Sequence, residues 1–163
     1  MIFLTVGTYP LPFDRLIVAI DLAIKEGLIE EEVVAQTGVS NYVPKNMEYT
    51  NILEKEAFDC FFRRASGIIS HAGMGTITMA LDNKKPLLVM PRMKRYKEHV
   101  NNHQVATAKK FEELGHILAV YDIKDLPDGI RKVKNFVPRK RKASPHAVAN
   151  RIRCFLNSLS ESR

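Results

Sequence analysis

A chain of 163 residues, 45% of them apolar and 26% charged, is long enough for one domain with a buried core and lacks the polar bias of disordered proteins. No apolar run approaches the roughly 18 to 20 residues of a membrane-spanning helix, and the start MIFLTVGTYP has no basic n-region or small-residue cleavage site, so we expect no span and no secretory signal. The net charge of +7 comes from residues 131–142, RKVKNFVPRKRK, which hold seven of the 25 basic residues and no acidic one.

The first half of the chain alternates predicted strands and helices. Residues 2–6 (IFLTV) are a continuous apolar run, which is typical of a buried parallel strand. From Phe13 to Gly27 apolar residues recur at helical spacing, and residues 32–38 and 47–53 predict a second and a third strand. Residues 54–65 predict a helix that leads into a strand at residues 68–70.

The second half continues the alternation. Residues 76–83 predict a helix, 86–91 a buried strand, 101–114 a helix and 117–120 a strand. Strands that alternate with helices in this way predict an α/β fold, a parallel sheet with helices on both faces, in which ligands bind beyond the carboxyl ends of the strands.

The segment ISHAGMGTITMAL, residues 69–81, ends a predicted strand with Ser70 and His71 and places Gly73 and Gly75 before a helix. Two explanations fit these glycines. They permit a sharp turn from strand to helix, or they expose backbone N–H groups that bind phosphate at a helix N-terminus. The two explanations do not compete, and a lone G-x-G does not decide between them.

Polar residues and glycines also follow the other predicted strands, and together they predict a polar crevice. For His71, a buried histidine at a helix entry is an alternative to a ligand contact, and for His103 and Gln104 the alternative is side-chain capping of a helix. The crevice residues are Gly7, Thr8, Gln36, Gly38, residues 70–76, Arg92, His99 and residues 101–104.

Six segments in order, IFLTVGT, PFDRLI, AQTG, ISHAGMGT, KPLLVMPR and EHVNNHQ, resemble the C-terminal, donor-binding half of glycosyltransferase family 28. The similarity is greater to single-domain members, which act in dolichol-linked glycan synthesis and in bacterial capsule and exopolysaccharide synthesis. It runs from Ile2 to about Val120. The resemblance implies a Rossmann-like domain, one half of a GT-B fold, that binds a UDP-sugar without a bound metal or other cofactor.

The resemblance also implies residue roles. The diphosphate would lie against Gly7, Thr8, His71, Ala72, Gly73, Met74, Gly75 and Thr76. The sugar and its phosphate would contact Arg92, Glu98, His99, Asn102, His103 and Gln104, and residues 51–53 would close over the base. No metal site is implied, and the general base is expected on a partner.

One position departs from the family pattern. A glutamate that binds the ribose hydroxyls commonly stands three residues after Thr76, where this chain has Met79. A thioether does not replace a carboxylate as an acceptor. Either Asp82 takes over, or the nucleotide is held differently, or binding is weaker.

The resemblance implies an inverting glycosyltransferase subunit that moves a sugar from UDP to a polyprenyl-linked acceptor. Its partner would be a membrane-anchored, acceptor-binding subunit, which would hold the chain on the cytoplasmic face of a membrane. The alternative is a non-catalytic nucleotide-sugar-binding or regulatory subunit. A nucleic-acid-binding module is a third reading, but the basic run holds a single aromatic residue, Phe136, and no groove-reading motif, so we expect no nucleic acid partner.

The C-terminal part is expected to separate into its own element. We place the sugar-binding domain at residues 1–143 and a helix and tail at residues 144–163, with Ser144 as N-cap, Pro145 at the first turn and an apolar stripe of Val148, Ile152, Phe155, Leu156 and Leu159. The stripe either packs on its own domain or docks a partner.

The basic run 131–142 suits an anionic membrane face or an acidic partner, or is a solvated loop. Cys60 and Cys154 match no metal or redox spacing and are expected to be reduced thiols.

Overall fold

The computed structural model describes residues 1–140 and 145–160, the side chains of residues 145–148 and 160 excepted. Within these residues six strands form one sheet in which all neighbours are parallel, in the order β3-β2-β1-β4-β5-β6. The strands are β1 (Ile2–Thr5), β2 (Val33–Gln36), β3 (Glu48–Thr50), β4 (Gly67–Ser70), β5 (Leu87–Val89) and β6 (Leu118–Ala119). The predicted α/β, Rossmann-like fold is confirmed.

Six helices connect or follow these strands in the described residues. They are α1 (Asp14–Lys25), α2 (Lys55–Arg64), α3 (Met74–Asp82), α4 (His103–Glu113), α5 (Leu126–Val133) and α6 (Pro145–Ser160). Short 3-10 turns lie at Lys94–Tyr96 and Ile123–Asp125. None of the helices in this part of the chain is long and apolar enough to cross a bilayer.

Two apolar cores cover the two faces of the sheet. Successive residues of one strand point to opposite faces, so Leu4 packs with α1 and α5, whereas Phe3 packs with α2, α3 and α4. Ile20 of α1 and Ile130 of α5 are fully buried in the first core, and Ile77 of α3 is fully buried in the second. Helices therefore lie on both faces, which explains the continuous apolar runs of the strands.

The strand order reverses beside β1, which pairs with β2 on one side and with β4 on the other. Thr5 aligns with Gln36 and with Ser70, and Ser70 aligns with Val89, so these four strands end at the same edge of the sheet. Connections on opposite faces diverge at such a switch point and leave a crevice outside the strand ends. Below, the β1 loop means residues 6–13, the β4 loop residues 71–76 and the β5 loop residues 90–102.

Three expectations need correction. Helix α3 begins at Met74, not Thr76, because Gly73 is the N-cap residue. Helix α5 was not predicted at all, since its last three residues lie in the basic run and Pro127 stands in its first turn. The apolar stripe of α6 does not pack on its own domain: Ile152, Phe155, Leu156 and Leu159 are each more than half exposed. Ser144, the predicted N-cap of α6, lies outside the described residues.

Candidate functional site

The imidazole ring of His71 lies between the β1 loop and the start of α3. A Cβ on Gly7 would lie 2.7 Å from His71 Cε1, and a Cβ on Gly73 would overlap the ring at Nε2. Gly7 also has φ +71°, a conformation that favours glycine. Both glycines are therefore needed to make room for the histidine, which neither explanation of the glycines anticipated.

A short hydrogen-bond chain holds this ring. The Ser70 hydroxyl donates to the Thr5 carbonyl at 2.6 Å, and His71 Nδ1 lies 3.1 Å from Ser70 Oγ. Burial, together with the nearby Arg92 charge, lowers the pKa of His71 to about 4. The unliganded ring is therefore neutral at physiological pH.

The N-terminus of α3 is open at its first turn. Gly73 has φ −81° and ψ 132° and no side chain caps the helix, whose first hydrogen bond runs from Ile77 N–H to the Gly73 carbonyl at 3.1 Å. The N–H groups of Met74, Gly75 and Thr76 thus have no partner within the helix. Met74 and Gly75 are exposed, and nothing lies within 4 Å of a Cβ added to Gly75. This surface offers free donors and the positive end of a helix dipole.

Arg92 lies beneath the crevice and not on its surface. The residue is 1% exposed, and its guanidinium donates to the carbonyls of Val6 (2.9 Å), Leu11 (2.8 Å), Pro12 (3.2 Å) and Glu98 (3.3 Å). Desolvation lowers its pKa to about 10, against the opposing effect of Glu98, so it stays cationic. In the structure Arg92 thus ties the β1 loop to the β5 loop, and its expected contact with sugar or phosphate stays a prediction.

Glu98 strengthens the same junction. It is 4% exposed and forms a two-pronged ion pair with Arg15 of α1, with N–O distances of 2.7 and 2.9 Å. Its carboxylate also accepts from Met93 N–H at 3.0 Å. Sequence reasoning gave Arg15 no role, although the motif PFDRLI contains it, because its partner lies 83 residues away.

Three aromatic side chains line the crevice above Arg92. Tyr9 of the β1 loop stacks on His99 of the β5 loop with ring centroids 4.4 Å apart, and His103 meets His99 edge-on at 4.5 Å. Burial and the nearby His103 and Arg92 lower the pKa of His99. The structure therefore brings His71, His99 and His103 to one end of the sheet, as predicted; sequence reasoning missed Tyr9, whose signal was only its place after a strand.

The start of α4 does not have the side-chain capping that was the alternative reading of His103 and Gln104. Asn101 accepts from the backbone N–H of His103 at 3.1 Å and contacts its Nδ1 at 2.5 Å, so neither His103 nor Gln104 caps the helix with its own side chain. Gln104 is buried and accepts from Arg92 N–H at 3.1 Å. Asn102 accepts from Lys94 N–H at 2.9 Å. Exposed Thr8 and His103 face solvent, whereas Ala72 is buried.

The position expected to bind ribose lies on α3. Met79 is half-buried and packs against the second core, and Asp82 is the last residue of the helix, exposed to solvent. Asp82 lies about 12 Å along the axis from Met74, at 1.5 Å per residue, so it is not close to the first turn. Beyond β3, Asn51 and Ile52 are exposed, and Gln36 accepts from Leu53 N–H at 3.2 Å. Among the described residues no group of three His, Cys, Asp or Glu side chains is arranged to hold a metal ion.

The strand order, the crevice at the switch point and the open helix N-terminus define a Rossmann-like α/β domain. Residues 1–153 match the Glycosyltransferase family 28 C-terminal domain, and the chain belongs to this family.

Among curated proteins, the chain is 34% identical over 124 residues to the UDP-N-acetylglucosamine transferase subunit ALG13 of Mus musculus, covering 71% of this chain and 10% of that protein. It is 32% identical over 111 residues to ALG13 of Candida glabrata, covering 66% of this chain and 52% of that protein. The chain thus spans about a tenth of the mammalian relative and about half of the yeast one.

Solved structures agree on the fold. A solution NMR structure of ALG13 superposes with a TM-score of 0.58 at 20% identity, covering 93% of this chain and 94% of that one. MurG of Acinetobacter baumannii superposes with a TM-score of 0.54 at 18% identity, covering 84% of this chain and 45% of that one. The domain is therefore one half of a GT-B architecture.

Proposed function

We propose that this chain is the donor-binding subunit of a two-component glycosyltransferase and that it binds the diphosphate of a UDP-sugar at the first turn of α3. The observation that carries the proposal is the open helix N-terminus at the switch point, where Met74, Gly75 and Thr76 present unpaired N–H groups. The names of the curated relatives, subunits of a UDP-N-acetylglucosamine transferase, support UDP-N-acetylglucosamine as donor.

The chemistry we propose is inverting transfer without a metal. An acceptor hydroxyl attacks the anomeric carbon, a base takes the hydroxyl proton, and UDP leaves with the electrons of the broken glycosidic bond. Backbone N–H groups and the dipole of α3 stabilise the charge that develops on the diphosphate. The buried cation of Arg92 adds positive potential from below.

A second subunit completes the enzyme. The crevice lies at the edge of one sheet, and in this proposal the acceptor site, the general base and the membrane anchor come from a partner that acts on a polyprenyl-linked acceptor at the cytoplasmic face of a membrane. The exposed stripe of α6, Ile152, Phe155, Leu156 and Leu159, supports a docking role for this helix. The basic run adds attraction to anionic headgroups.

The donor site is tested by unfolding the purified chain in the presence of UDP and UDP-N-acetylglucosamine. A ligand at about 100 times its Kd raises the free energy of unfolding by about 2.7 kcal/mol. Transfer to a lipid-linked acceptor is expected only when a membrane-anchored partner is added. Appreciable transfer by the isolated chain would refute the two-subunit proposal.

Docking is tested on α6. Truncation after Ala143, or Phe155→Glu on the stripe, is expected to abolish co-purification with the membrane-anchored subunit and leave UDP binding unchanged. Asn150→Glu adds the same charge on the opposite side of the helix, where the residue is exposed, and is the matched control. Equal loss with both variants would point to charge and not to the stripe.

The alternative, a nucleotide-sugar-binding subunit without catalytic function, is favoured by Met79 at the expected ribose position. It predicts UDP binding with no transfer in the presence of the partner.

A further inference from the structure

We propose that binding of the donor diphosphate is coupled to uptake of one proton by His71, whose Nε2 then donates to a phosphate oxygen. The proposal rests on the proposed function, because it concerns the same first turn of α3. It assigns a second positive charge, beside that of Arg92, to a side chain that is neutral before the ligand arrives.

The hydrogen-bond chain below the ring fixes where the proton sits in the unliganded state. The Ser70 hydroxyl has one hydrogen, and its 2.6 Å bond to the Thr5 carbonyl uses it. Ser70 Oγ can then only accept from His71 Nδ1, 3.1 Å away. The neutral ring therefore carries its hydrogen on Nδ1 and a lone pair on Nε2.

Nε2 faces the loop that would hold the diphosphate. It lies against Gly73, where a Cβ would overlap it, and Cε1 lies against Gly7. No hydrogen bond to another described residue uses Nε2. A phosphate oxygen is also an acceptor, so the two atoms repel unless a proton is placed between them.

The groups around His71 keep it neutral until an anion binds. From the β5 loop it faces the Arg92 guanidinium and His99, and both lower its pKa, while Thr5 of β1 acts in the opposite sense. Tyr9 and His103 contact the ring of His99, and the carboxylate of Glu98 is paired with Arg15. A diphosphate beside Nε2 raises the pKa of His71, because a nearby negative charge favours the imidazolium.

The step moves one proton and changes no bond between heavy atoms. The proton passes from solvent to Nε2, and the resulting imidazolium forms a charge-assisted hydrogen bond to the phosphate. Protonated His71 binds better than neutral His71, so affinity rises as pH falls. Between about pH 5 and the pKa of His71 in the complex, Kd changes by up to about tenfold per pH unit.

The experiment is isothermal titration of the full chain with UDP-N-acetylglucosamine at about pH 6, 7 and 8 in buffers of different ionisation enthalpy. This ligand is chosen because its diphosphate has no terminal group that titrates near neutral pH, unlike UDP. We expect net uptake that approaches one proton at the lowest pH. The Cε1 proton shift of His71 in NMR spectra should report an imidazolium only in the complex.

Two variants test whether the proton is taken up by His71 and not by another histidine. His71→Gln carries an N–H that does not titrate, so its binding should be weaker and independent of pH. His116→Gln, a histidine that bonds the Arg139 carbonyl away from the crevice, should keep the uptake of the wild type.

Binding with no net uptake, or an Nε2 proton gained by tautomer exchange through Ser70, would overturn this proposal and leave the proposed function intact. Absence of binding at every pH would overturn both.

Discussion

The β4 loop and the β5 loop follow neighbouring strands at one edge of the sheet, and both were expected to contact the donor. In the β4 loop the backbone is exposed at the start of α3. Gly75 is exposed, and no atom lies within 4 Å of a Cβ placed on this residue. In the β5 loop the two buried charged side chains are held by the protein itself: Arg92 donates to four carbonyls, although its Nε has no partner among the described residues, and Glu98 pairs with Arg15.

The difference shows that a polar residue after a strand has two distinct uses. It either leaves donors free for a ligand or fixes the loop that positions them. Residue type does not separate these uses; the burial of each side chain and the identity of its partner do. Three substitutions sharpen the distinction.

The largest effect on stability is expected from Glu98→Ala. Removal of the carboxylate leaves the partly buried Arg15 guanidinium without its partner, which costs about 3 kcal/mol of unfolding free energy. Denaturant unfolding measures it. The control is Asp59→Ala, which breaks an exposed Lys55–Asp59 pair of the same 2.7 Å length and should cost less than about 1 kcal/mol. Equal costs would mean that Glu98 does not support the loop as described.

Gly75→Val is expected to abolish UDP binding without unfolding the protein. A Cβ at this position has no protein atom within 4 Å, and the branched side chain blocks the approach of phosphate to the first turn of α3, so the stabilisation of about 2.7 kcal/mol by UDP at 100 times its Kd is lost. Thermal unfolding with and without UDP measures this. Gly73→Ala provides the contrast, because its Cβ collides with His71 and should destabilise the protein even without ligand. Unchanged UDP binding by Gly75→Val would place the diphosphate elsewhere.

Met79→Glu is expected to have the smallest effect, a gain of about 1 kcal/mol in UDP binding after desolvation of the new carboxylate. The reason is that a carboxylate at this position accepts bonds from ribose hydroxyls, whereas the thioether does not. Titration calorimetry with UDP measures the gain, and Met79→Gln, which lacks the charge, should gain less. No gain in a folded Met79→Glu variant would show that the ribose does not lie beside α3.

The architecture was predictable because β1, β2, β4 and β5 are buried on both faces and therefore appear as largely apolar runs. The predicted segments 2–6 and 86–91 contain β1 and β5, and the segment 68–70 covers all of β4 except Gly67. The strand ends then placed the crevice. Helix α5 was predictable in principle, since Leu126, Ile130 and Val133 recur at helical spacing and are buried, but the basic residues between them drew the interpretation toward a charged loop.

The supporting network was not predictable from local patterns. Arg15 and Glu98 are 83 residues apart, and Arg92 bonds carbonyls about 80 residues away, so only the folded chain brings these groups together. The first residue of α3 was not predictable either, because the sequence does not show whether Gly73 or Gly75 is the N-cap. The packing of the His71 ring against Gly7 and Gly73 requires the loop conformation itself.

That packing also constrains how the sequence can vary. Gly73 has an ordinary φ of −81°, so what excludes alanine there is the neighbouring ring and not the backbone. A smaller residue at position 71 would make alanine acceptable at position 73, and the two effects on stability would not add. Gly7, with φ +71°, would stay glycine in either case. Among homologues we therefore expect positions 71 and 73 to change as a pair, while position 7 remains glycine whatever stands at the other two.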